Sequence, residues 1–96
     1  MTPAETLIRR YFDAFNAADA KGMLACLTDD IRHDVNQGGT RQGKDAFAEF
    51  CAHMSRCYRE ELSDIVVMVG PEGRAAAEFT VHGRYLATDE GLPEAA

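Results

Sequence analysis

Apolar residues recur at steps of three and four through Ala4, Leu7, Ile8, Tyr11, Phe12, Phe15 and Ala18, one stripe of an amphipathic helix. Thr2-Pro3-Ala4-Glu5 predicts its start: the Thr hydroxyl can accept from the Glu5 amide, and proline suits the first helical position. The helix is expected to end near Asn16 to Ala18, with Arg9, Arg10, Asp13 and Asn16 solvated or at the margin of the stripe. Tyr11 lies mid-stripe, so its ring should enter the interior, where its hydroxyl needs a partner. A backbone carbonyl is the plain reading of that partner. Asp19 can cap a second, short helix through Met23, Leu24, Cys26 and Leu27. Asp29 and Asp30, directly after it, read as a solvated turn.

From Ile31 to Val35 the period changes to two. Ile31, His33 and Val35 share one face of a short strand, Arg32, Asp34 and Asn36 the other, and Gln37-Gly38-Gly39-Thr40 breaks the pattern. Gly43-Lys44-Asp45 opens a third helix whose stripe contains Phe47, Phe50, Cys51, Met54, Cys57 and Tyr58. Leu62 to Val69 reads as a strand that is apolar on both faces from Ile65 onward, as if covered on both sides. Pro71-Glu72-Gly73 is a turn signal, which makes Ala75 to Tyr85 the returning strand of a hairpin. In it Ala77, Phe79, Val81 and Tyr85 face one way and Glu78, Thr80, His82 and Arg84 the other. The order predicts an α+β domain with three helices covering one face of an antiparallel sheet. Apolar side chains such as Val66 and Met68 are left on the second face, so a homodimer packed through it is expected.

At 96 residues the chain reads as one domain. Its 16 acidic and 10 basic residues give a formal net charge of −6, which disfavours nucleic acid and anionic membrane surfaces as partners. No apolar run is long enough to span a bilayer, and the N-terminus has no signal-peptide pattern, so a cytoplasmic location is expected. Cys26, Cys51 and Cys57 show no C-x-x-C spacing and are expected as buried apolar residues, not as disulfides or metal ligands. A metal site built from His33, Asp34, His53 or His82 is disfavoured because adjacent strand residues point apart, and no metal or other cofactor is expected.

Arg10-Tyr11-Phe12-Asp13-Ala14-Phe15-Asn16-Ala17-Ala18-Asp19 resembles the N-terminal helix of the ketosteroid isomerase and SnoaL-like polyketide cyclase superfamily, whose fold is shared with nuclear transport factor two. Leu27-Thr28-Asp29-Asp30, the Gly43-Lys44-Asp45-Ala46-Phe47 helix start and Glu78-Phe79-Thr80-Val81-His82-Gly83 extend the resemblance over nearly the whole chain. It implies a cone-shaped α+β fold in which three helices pack on a curved antiparallel sheet. The family's last strands, with the protonated aspartate that completes the isomerases' oxyanion hole, are expected to be missing after Ala96. Tyr11 matches the oxyanion-hole tyrosine, and Asp34 matches the general-base aspartate about one residue early. A slip of one residue reverses the face of a strand side chain, so alternation favours His33 in the interior, whereas a bulge would restore Asp34.

What the resemblance implies is proton transfer next to a carbonyl, by isomerisation or cyclisation, on a small apolar carbonyl compound. Asp34 or His33 would be the base and the Tyr11 hydroxyl the enolate partner. Phe15, Phe50, Met54 and Phe79 are the expected apolar contacts of the substrate, and Asn36 would orient its polar end unless it serves simply as a turn former. The alternative is a noncatalytic ligand-binding module on the same scaffold, with His33 and Asp34 as hydrogen-bonding anchors.

Overall fold

The computed structural model describes residues 2–35 and 39–87. Their elements run α1 (Pro3–Asn16), α2 (Ala20–Ala25), β1 (Arg32–Val35), β2 (Gly39–Gln42), α3 (Lys44–Cys57), β3 (Tyr58–Val69) and β4 (Ala75–Tyr85). The class is α+β, as expected, but the described strands form two separate two-stranded sheets, β1 with β2 and β3 with β4. The chain groups into two compact units, one from Met1–Cys26 with Glu60–Arg84, the other from Leu27–Arg59 with Tyr85–Ala96.

In the first unit, the Thr2 hydroxyl accepts the Glu5 amide at 3.2 Å and Pro3 begins α1, so the predicted cap is present. The helix ends with Ala18 at φ 56°, which lets the Asp19 N–H reach the Ala14 carbonyl at 2.8 Å. Asp19 then caps α2 by accepting the Gly22 N–H at 3.0 Å. Gly22 lies so near Ala14 and Asp19 that a β-carbon there would collide with the Asp19 carboxyl, which lets α2 approach α1 closely.

Asn16 is not at a solvated margin. It is half-buried, and its amide pairs twice with the backbone of buried Leu62, donating to the carbonyl at 2.9 Å and accepting the N–H at 2.8 Å. The side chain thus takes the place of a neighbouring strand on an edge of β3 that pairs with no strand among the described residues. Just beyond, Asp64 has φ 54°, and the inward set changes from Tyr58, Glu60 and Leu62 to Ile65 and Val67. A bulge at Ser63-Asp64 accounts for that change of phase. Past it, Val66, Met68 and Val69 are each more than two-fifths exposed, so among the described residues the strand is not covered on both sides. The predicted turn at Pro71-Glu72-Gly73 is present, closed by the Gly70 N–H to the Arg74 carbonyl at 2.8 Å.

In the second unit, β1 and β2 pair antiparallel in the register Arg32↔Gln42, His33↔Arg41, Asp34↔Thr40 and Val35↔Gly39. Of the break expected at Gln37 to Thr40, Gln37 and Gly38 lie outside the described residues, while Gly39, at φ 81°, opens the second strand of the pair. The Gly43 N–H closes its base on the Ile31 carbonyl at 2.8 Å. On the exposed face Asp34 accepts from the Thr40 hydroxyl at 2.6 Å and from Arg32 at 3.3 Å. The three cysteines are not disulfide-bonded; Cys57 is buried, and Cys26 and Cys51 are half-buried, with burial pushing the Cys51 thiol up.

Replacing Asn16 by Ala leaves two main-chain groups of a buried residue unpaired and should cost about 2–4 kcal/mol, read by urea denaturation; a loss below half that range would show that water replaces the amide. Chiefly the Thr40 hydrogen bond, then Arg32, holds the Asp34 carboxyl below its usual value. In Thr40→Val a carboxyl-detected NMR titration should move Asp34 upward. The stability that Thr40 adds through this carboxylate is present above the unfolded aspartate value and is lost as pH falls through the lower folded one.

Candidate functional site

Pleat alternation decides which of two adjacent proton-transfer groups turns inward. The uninterrupted register leaves no bulge in β1, so His33 and Val35 are half-buried while Arg32 and Asp34 are exposed. His33 meets α3, whose Phe47 and Phe50 are three residues apart and so share a helix face. The imidazole stands edge-on to both rings, at 5.0 Å from Phe47 and 4.8 Å from Phe50 between centroids. Its Nδ1 is buried and has no hydrogen-bond partner among the described residues. A neutral imidazole carries one donor and one acceptor nitrogen, and a buried polar atom without a partner is uncommon enough to need a reason.

Arg41, directly across from His33, extends over the same Phe50 ring, its guanidinium carbon 5.4 Å from the centroid. Met54 lies one turn beyond Phe50 on α3 and is half-buried. These residues make an aromatic surface with an imidazole and a guanidinium on it.

Asp34 does not belong to that surface. Its carboxylate is exposed, bonded to Thr40 and Arg32, and held toward the charged form. That is the opposite of what a general base near neutral pH requires, since proton transfer is most effective when the group's own value approaches the working pH. The placement follows simple alternation, the first of the two readings of this strand, and not the bulge that would have turned Asp34 inward.

The other expected site residues fall in the first unit or beyond the described residues. Tyr11 and Phe15 are half-buried on α1, Tyr11 edge-on to Phe12 at 5.5 Å. Phe79 on β4 is 40% exposed and packs against Phe12 at 5.3 Å. Asn36 lies outside the described residues. His82 faces outward as expected and is 2.8 Å from the Ser63 hydroxyl. Among the described residues no group of three or more His, Cys, Asp or Glu is arranged to hold a metal ion, and no helix is long and apolar enough to cross a membrane.

Two site residues were not anticipated from the sequence. Phe47 was readable as apolar stripe, but its contact with His33 needed the hairpin register. Arg41 was hidden because the strand that carries it has no apolar alternation.

The SnoaL-like domain family matches residues 8–94. A crystal structure of a protein from Silicibacter sp. TM1040, provisionally named a polyketide cyclase, is 63% identical with a TM-score of 0.93, over 97% of this chain and 69% of that one. Another of the same provisional name, from Pseudomonas putida KT2440, is 56% identical with a TM-score of 0.94, over 100% of this chain and 73% of that one. A nuclear-transport-factor-two-like protein of unknown function from Burkholderia pseudomallei K96243 shares the fold at 24% identity and a TM-score of 0.55, over 95% of this chain and 85% of that one. No protein of curated function matches. With nearly its whole length matched by the family, and half or more of its residues identical to two solved relatives, the chain belongs to the SnoaL-like domain family.

Proposed function

We propose that this chain is a small-molecule enzyme that moves a proton next to a carbonyl, with His33 as the base. The observation that carries the proposal is the inward imidazole between Phe47 and Phe50 with an unpaired, buried Nδ1, set against an outward Asp34 already bonded to Thr40 and Arg32. Imidazole takes and returns protons near neutral pH more readily than any other side chain. In the reaction the C–H bond α to the carbonyl breaks, its electron pair moves into the carbonyl to form an enolate, and the proton passes to the imidazole. In isomerisation the imidazolium returns that proton to a different carbon. In cyclisation the enolate carbon attacks a second carbonyl of the same molecule and the imidazolium protonates the resulting alkoxide. The provisional names of the two solved relatives favour cyclisation.

The exposure of Asp34 also favours a second reading, a noncatalytic binding module in which His33 is a hydrogen-bonding anchor. Both readings retain a homodimer, proposed because Val66, Met68 and Val81 are each nearly half exposed.

Exchange of the α-protons of an aromatic methyl ketone into deuterated buffer, followed by NMR, separates the two. His33→Gln should abolish protein-dependent exchange, and Asp34→Asn should leave it within about tenfold. Exchange that persists in His33→Gln but disappears in Asp34→Asn would return the base to the aspartate; ligand binding without exchange would establish the binding module. Sedimentation at micromolar concentration should show a dimer, and a stable monomer would remove that part of the proposal.

A further inference from the structure

We propose that the ligand of this surface is an anion, a planar keto compound bearing a carboxylate, and that Arg41 binds the carboxylate and so sets specificity. The proposal rests on the preceding reading for the carbonyl end of the ligand, but its anionic end has independent support in the hairpin.

Arg41 and His33 are direct cross-strand partners, which puts both side chains on one face of the hairpin. Both also touch one ring: the His33 imidazole lies 4.8 Å and the Arg41 guanidinium 5.4 Å from the Phe50 centroid. A cation and a proton acceptor therefore border the same planar apolar surface.

The chain has 16 acidic residues against 10 basic ones, so carboxylate partners for an arginine are plentiful. Arg9, Arg32 and Lys44 each pair with one, namely Glu5, Asp34 and Asp29. Arg41 pairs with none among the described residues, as is also true of Arg10, Lys21, Arg56, Arg59, Arg74 and Arg84; what sets it apart is its place over the ring of Phe50, beside His33. Were Arg41 there only to hold the hairpin, the residue opposite would be expected to be acidic, because opposite charges stabilise cross-strand pairs. The residue opposite is His33, and the nearby carboxylate of Asp34 is turned to the other face and taken by Arg32.

A guanidinium lying over an aromatic face uses its π surface and keeps its in-plane N–H groups for an acceptor. Those groups form a planar fork that matches a carboxylate through two parallel hydrogen bonds. A flat ligand body would pack beside the guanidinium along the edge of Phe50, so the carboxylate and the carbonyl would be bound at two ends of one planar molecule. No electron or atom transfer is involved at Arg41.

The test uses 4-acetylbenzoate and methyl 4-acetylbenzoate, which share the ring and the ketone and differ in the charge. Dissociation constants are read from chemical-shift changes of the hairpin and α3 amides at low salt. The acid should bind at least tenfold more tightly than the ester, and raising the ionic strength should narrow the gap. Arg41→Gln should bring the acid down to the affinity of the ester, Arg41→Lys should keep part of the preference, and Arg32→Gln, altered on the opposite face, should keep all of it. The proposal is overturned if the acid binds no better than the ester, if neither binds at millimolar concentration, or if the preference survives Arg41→Gln. Exchange of the acetyl protons into deuterated buffer is recorded on the same samples. A preference lost in Arg41→Gln without any exchange would retain the anion site and reject the enzyme, whereas exchange of acid and ester with equal affinity would reject the anion site and retain the enzyme.

Discussion

An antiparallel strand pair held in one-to-one register must send adjacent side chains to opposite faces, and that constraint at Arg32–Val35 governs the chemistry of the second unit. It turns His33 toward Phe47 and Phe50 and carries Arg41, its opposite partner, over the same ring. It turns Asp34 away from them, beside the Thr40 hydroxyl and the Arg32 guanidinium. A carboxylate with these partners is favoured in its charged form and holds a proton poorly. The imidazole stands on an apolar wall, its buried Nδ1 without a partner among the described residues, and is the group that the proposed reaction uses as base.

The first unit depends on a different device, a side chain that substitutes for main chain. The Asn16 amide satisfies both the donor and the acceptor of Leu62, a buried residue whose unpaired backbone groups would otherwise be costly. The bulge at Ser63-Asp64 follows immediately and reverses which residues of β3 face inward. At the other end of the helix turn, Ala18 accepts a left-handed backbone so that Asp19 can both finish α1 and cap α2. Single polar contacts of this kind matter more where, among the described residues, no side chain is fully buried.

Much of this was legible in the sequence because its signals were local. The Thr2 cap, the α1 stripe, the Asp19 cap, the start of α3 and the Pro71–Gly73 turn each depend on residues within a few positions of one another. Strand alternation also favoured the inward turn of His33. What was not legible depends on pairing across distance or on an unfavourable local choice. Gly39-Thr40-Arg41-Gln42 has no apolar alternation, so β2 could be found only through its partner, and Arg41 was missed with it. Asn16 looks like a helix-end polar residue until Leu62, distant in sequence, is beside it. Ala18 and Asp64 occupy left-handed conformations that glycine usually signals. The family resemblance carried the fold further than it carried the site, because a one-residue offset between Asp34 and the isomerases' aspartate is trivial for alignment and decisive for which face a side chain occupies.

The central claim is that a ligand meets His33 and not Asp34. Isotope-filtered NOE spectroscopy of the labelled protein with an unlabelled aromatic methyl ketone tests it directly, because it reports which protein protons lie near the ligand without requiring turnover. The account predicts cross-peaks from the ligand's acetyl protons to the His33 ring protons and from its aromatic protons to Phe50. Cross-peaks to the Asp34 β-protons and the Thr40 methyl group, with none to His33, would place the ligand on the opposite face of the hairpin and contradict it.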